Sequence, residues 1–220
     1  MNIELIDNLR GVAFILMFIY HIFIYLNIFC NHNYLDNIFI NLIGHIARIT
    51  FILLFGICLY LAYNKYKYNI KKYRKHYFTK LGYLLLSALF ISCFTYLIIP
   101  DNFIYFGVLH FMCLSMILLY YFIDKTYLLI CILIISLILK YKSNYYIYSQ
   151  TDNIFYNILG FGYYRNTLDL FKLSKWLYLV IIGILIGKII IQNNIFKTTK
   201  LIKKKNNNII KYLGKNTLLL

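Results

Sequence analysis

The sequence predicts an all-α, polytopic membrane bundle with about six to seven transmembrane helices and a cytoplasmic N terminus. Three observations carry that prediction. Hydrophobic residues fill 62% of the 220 positions and the mean hydropathy is +0.69, outside the soluble globular range. Six apolar stretches approach the roughly 20 residues needed to cross the hydrocarbon core. The 23 Lys and Arg, set against 7 Asp and Glu for a net charge of +16, gather in short segments between those stretches. That is the positive-inside pattern, not the basic surface of a nucleic-acid binder, so no nucleic acid is expected as a partner.

Taken in order, the stretches are roughly 11–30, 38–63, 81–99, 103–123, 127–140 and 176–192, with a seventh beginning near Asn208. The first has Glu4 and Asp7 in its flank, no basic n-region and no small-residue cleavage site, so it is expected to stay as a helix and not to be a signal peptide. Pro100, in "IIPDNF", predicts a tight turn between the third and fourth stretches. The fifth is short and has room to extend into the tyrosine-rich "YKSNYYIY".

Segment 64–80 carries seven Lys or Arg and no acid, and 196–205 carries five basic residues and no acid. Four expected spans separate them, which places both on the cytoplasmic side together with the N terminus. The longest segment left outside is then 141–175, with Asp152, Arg165, Asp169, Lys172 and Lys175, and it is the place to expect substrate contacts. "GILIG", with Gly183 and Gly187, is a small-xxx-small pair that lets helix backbones approach closely. The five cysteines form no CxxC pair and have no His at ligand spacing. Neither a disulfide framework nor a metal site is expected.

Polar residues inside apolar runs are the candidates for chemistry. His21 follows Arg10 by eleven positions, about 16 Å along a helix and roughly half the core thickness, so His21 is expected near mid-membrane. His45 and Arg48 are three apart and share a face in the second stretch, within reach of Asp36 toward the outer end. His110 follows Gly107 by three residues in "IYFGVLHFMCLS", where a glycine leaves room for close approach. Buried ionisable groups are costly and are retained for function or for helix packing. Converging imidazoles suit an acyltransferase, with His as base or nucleophile, or a proton-coupled transporter; spacing alone does not choose.

Read together, the segments resemble one family. "IELIDNLRGVAFILMFIYHIFIYLNIF" is similar to the opening of the heparan-alpha-glucosaminide N-acetyltransferase catalytic-domain family through Asp7, Leu9, Arg10, Gly11, Met17 and His21. "ITFILLFGICLYLAY" matches through Phe55 and Gly56, and "FIYFGVLHFMCLS" through Phe106, Gly107, Leu109 and His110. "LDLFKLSKWLYLVIIGILIGK" matches through Asp169, Trp176, Gly183 and Gly187, and "YLGKNTLLL" resembles the start of a last block. The chain departs from the pattern at Tyr25, where an acid is usual, and at "KLSK" in place of prolines.

The resemblance implies one transmembrane acyltransferase-like domain over residues 1–220, expected to lack the complete C-terminal helix. It implies a multi-pass membrane enzyme that takes acetyl from acetyl-CoA and gives it to an amine or hydroxyl of a sugar. No metal is expected. His21 and His110 are the expected catalytic residues, and Arg10, Arg48, His45 and Asp169 the expected substrate-binding ones. Partners are then the lipid bilayer, an acyl-CoA and a glycan acceptor, with self-association left open. The Arg-to-His spacing is also that of integral-membrane O-acyltransferases of surface polysaccharides, the nearest alternative. A degenerate homologue and a transporter follow.

Overall fold

The computed structural model describes residues 3–30, 37–145, 154–161 and 167–193. Among them are seven α-helices and no strand: α1 Ile3–Cys30, α2 Ile38–Tyr66, α3 Ile70–Ile98, α4 Val108–Leu119, α5 Thr126–Tyr145, α6 Ile154–Leu159 and α7 Leu173–Gln192, with a 3-10 turn at Pro100–Asn102. Five of them, α1, α2, α3, α5 and α7, are long and apolar enough to cross a membrane. Large apolar side chains point outward along α3, with Leu86 at 65%, Phe90 at 69% and Leu97 at 80% exposed. Water would penalise such a surface heavily, whereas lipid tails solvate it. The chain is an integral, multi-pass membrane protein by these features.

Two compact units divide the chain, 1–61 with 183–220 and 62–182. In the first, Ile6 and Ala13 of α1 pack with Leu54 and Ile57 of α2, flanked by Phe51, Cys58, Leu61 and Ile186. The seven-residue spacings 6–13, 51–58 and 54–61 are those of a helix seam. Asn37 starts α2 by accepting the Phe39 N–H at 2.9 Å, the usual capping role of an Asx side chain.

The GILIG pair does what small residues do in membranes. A Cβ on Gly183 would collide with the Leu53 carbonyl oxygen and lie 3.0 Å from the Gly56 Cα; one on Gly187 would sit 3.1 Å from the Tyr60 Cβ. With no hydrophobic drive between helices in lipid, this backbone-to-backbone approach supplies the dispersion contact that holds α7 to α2. Gly183→Ala is expected to cost about 1–3 kcal/mol by overpacking, read as a lower unfolding temperature of the purified chain, because the obstructing atoms are backbone and cannot rotate away.

In the second unit, α3 begins at Ile70, so most of the basic segment expected as a loop is helix. Nothing in 70–80 breaks a helix, Asn69 caps it by accepting the Lys72 N–H at 3.0 Å, and Tyr73 and Tyr77 bury their rings. The Tyr77 hydroxyl donates to the Met116 carbonyl at 2.6 Å, and Tyr120 packs on both rings.

The stretch 103–123 is not one helix. Residues 103–107 are non-helical, with Phe103 and Gly107 extended, and α4 is 12 residues, about 18 Å. Irregular backbone at membrane depth must find partners within the protein, and here it does. Asn102 O accepts from Leu168 N at 3.0 Å, and Phe106 O from Phe171 N at 3.0 Å. Phe103 O accepts from the Thr167 hydroxyl at 2.9 Å, and Ile104 O from the Ser92 hydroxyl at 2.6 Å. Ile104 N donates to Thr95 Oγ1 at 3.1 Å. A single parallel bridge joins Phe106 and Leu170. The expected extension of α5 into the tyrosine-rich tail is present as far as Tyr145.

Candidate active site

The first unit carries one constellation. On α1, Arg10 and His21 are three helical turns apart and within about 20° of the same face. Arg10 is buried, and its Nη1 pairs with Asp7 Oδ1 at 3.2 Å, a carboxylate equally buried. Cys58 of α2 lies close by, within electrostatic reach of Arg10. The guanidinium is held by the ion pair with Asp7. Asp7 and Cys58 are contributors that the motif reading did not place in the site; the i,i+3 spacing of Asp7 and Arg10 on one helix was the signal available for the first.

His21 is half-buried, and its Nδ1 lies 2.8 Å from the Met17 carbonyl oxygen one turn back. A carbonyl only accepts, so the neutral imidazole carries its proton on Nδ1 and presents the Nε2 lone pair. That is the form a proton acceptor needs.

Beside His21, Tyr20 meets Arg48. The Arg48 guanidinium lies 5.3 Å from the Tyr20 ring centroid, with Nη2 3.4 Å from the Tyr20 hydroxyl and Nε donating to the Gly44 carbonyl at 3.1 Å. Gly44 admits the Tyr20 ring, which stands where a Cβ would be. Arg48 is thus held by Tyr20, whose ring centroid lies 6.1 Å from that of His21, while His45 is exposed. Asp36, the acid expected near them, lies outside the described residues.

The second unit carries the other constellation, centred on Gly107. His110, the third residue of α4, folds its ring back so that Nδ1 accepts the Gly107 N–H at 3.3 Å. Its Nε2 lies 3.3 Å from Ser92 Oγ, whose hydrogen goes to Ile104 O. Since Nδ1 accepts, the neutral ring carries its proton on Nε2 and donates to Ser92. Both nitrogens of His110 are engaged, unlike those of His21 among the described residues.

A Cβ on Gly107 would stand 3.3 Å from Asp169 Oδ2. The carboxylate therefore lies at the start of α4, where the free N–H groups and the helix dipole favour negative charge. Asp169, expected from the resemblance as a substrate-binding residue, comes close to the start of α4 because the 167–171 segment pairs with 102–106. Lys172 follows, its amine pushed below the usual lysine range first by burial and then by the Lys175 charge. Asp152 and Arg165 lie outside the described residues.

The motif residues of the first, second and fourth stretches thus occupy ordered positions: Arg10, His21, Gly56, Gly107 and His110 each make a specific contact. The last resembling block, 212–220, lies outside the described residues. No curated protein and no solved structure matches the chain. The family model described as heparan-alpha-glucosaminide N-acetyltransferase, catalytic, matches residues 3–220, and on that match the chain belongs to this family of acetyltransferase-like membrane enzymes.

Proposed function

We propose that the chain moves an acetyl group from acetyl-CoA to an amine or hydroxyl of a sugar, with residues 1–220 acting as one transmembrane acyltransferase domain. The observation that carries the proposal is the His21 ring, held inside the apolar span of α1 by the Met17 carbonyl with its Nε2 lone pair presented. The donor supplies a thioester carbonyl to be attacked. The acceptor amine or hydroxyl must lose a proton as its bond to that carbon forms, and His21 Nε2 takes it. When the carbon–sulfur bond breaks, the same imidazolium returns the proton to the leaving thiolate, so the ring ends neutral. No acetylated histidine is needed.

The side chains fit a phosphate-bearing thioester. Arg48 sits beside Tyr20, next to His21, and Arg10 lies three turns along the same α1 face. A guanidinium in a water-poor site stabilises charge developing on the carbonyl oxygen, and Arg48 takes that role. Arg10, already paired with Asp7, fixes the end of the span toward the donor. In the second unit, Asp169 beside the α4 start is the candidate for contact with a sugar hydroxyl or amine, and His110 holds that start in place.

The test is transfer of label from radiolabelled acetyl-CoA to glucosamine by membranes containing the chain. Incorporation above membranes lacking it is expected; none into glucosamine or any other membrane glycan at equal expression overturns the proposal. His110→Ala is expected to raise the acceptor KM more than it lowers kcat, and to cost about 1 kcal/mol of stability through the lost cap. An effect confined to kcat would move His110 into proton transfer instead.

A further inference from the structure

A strongly basic surface among the described residues takes no part in this chemistry. Only residues 67–69 separate α2 from α3, and around that turn Lys65, Lys67, Lys71, Lys72, Arg74 and Lys75 are all exposed. No acid occurs between 64 and 80. The same surface presents apolar groups: Tyr68 is 92% and Ile70 75% exposed, and Phe78 lies beneath the Arg74 guanidinium at 5.9 Å.

Length places this surface in the bilayer. Helix α3 has 29 residues, about 44 Å, against roughly 30 Å of hydrocarbon. Some nine residues must therefore lie beyond it. Residues 79–98 hold one charge, Lys80, so the excess is at the other end, 70–78. That portion falls in the head-group layer, cations outermost and Tyr68, Ile70 and Phe78 beside them.

We propose that the α2–α3 hairpin binds anionic phospholipid head groups. Its cations match the phosphates in sign, and its exposed aromatic and aliphatic groups match the boundary between head group and acyl chain. A soluble polyanion would meet the cations but leave Tyr68 and Ile70 in water. Binding to lipid satisfies both, and it does not depend on which leaflet faces the hairpin.

The experiment reconstitutes the purified chain in bilayers mixing phosphatidylglycerol with phosphatidylcholine, then measures by mass spectrometry which lipid stays bound on extraction into detergent. The wild type should retain phosphatidylglycerol preferentially, less so as salt rises. The combined K71Q, K72Q, R74Q and K75Q chain should lose at least about tenfold of that preference, since each cation near an anionic surface is worth about fivefold. If the combined variant does not insert, Lys72→Gln and Lys75→Gln are read singly for about fivefold each. Lys125→Gln, an exposed cation in the turn before α5, should change nothing. Equal retention of both lipids, unchanged preference in the glutamine variants, or full displacement of lipid by coenzyme A would overturn the proposal.

Discussion

Replacing His21 by alanine should lower acetyl transfer by about 10²–10⁴-fold, the usual contribution of a positioned general base. The chain should still insert and fold, because the lost ring makes one hydrogen bond, to the carbonyl of its own helix at Met17. The loss should therefore fall on kcat while the protein amount in the membrane stays level. Added imidazole should restore part of the rate in the alanine variant, since the deleted ring leaves space of its own shape, and His21→Gln should not be rescued. Unchanged turnover in His21→Ala would remove His21 from the mechanism and leave His110 as the remaining imidazole in a resembling block.

Arg10→Ala should be the most destabilising single change on α1. Both members of the Asp7–Arg10 pair are buried, and removing the cation strands a carboxylate in a low-dielectric environment. Breaking a buried pair costs about 3–5 kcal/mol, a large share of the roughly 5–15 kcal/mol by which folded domains exceed their unfolded states. The unfolding temperature in detergent should drop sharply. Asp7→Asn combined with Arg10→Gln should recover much of the loss, because no unpaired charge then remains. If the double variant is as unstable as Arg10→Ala, the contact to Cys58, and not the ion pair, is what Arg10 contributes.

Much of this architecture was legible along the chain. Five of the six apolar stretches are helices long enough to cross a membrane, because lipid leaves the backbone no alternative but internal hydrogen bonds. GILIG read as a close-packing face, and it packs closely. The stretch 103–123 misled because Pro100 and Gly107 bracket a run as apolar as a helix. Its non-helical start depends on Ser92, Thr95 and Thr167 offering side-chain partners, which hydropathy does not record. The basic segment misled in the other direction, since charge marked it as a loop while Tyr73 and Tyr77 bury a helical face.

By itself, the sequence determined the class of molecule and the positions of five of its spans, because these follow from hydropathy and from the length a helix needs to cross a membrane. Only the tertiary structure decided which imidazole presents a lone pair and which is tied up, that Arg48 rather than His45 meets Tyr20, and that Asp169 comes close to Gly107. The first two depend on which donor or acceptor comes within about 3 Å. For His110 and Arg48 those partners come from other elements, Ser92 of α3 and Tyr20 of α1, and no local pattern names them.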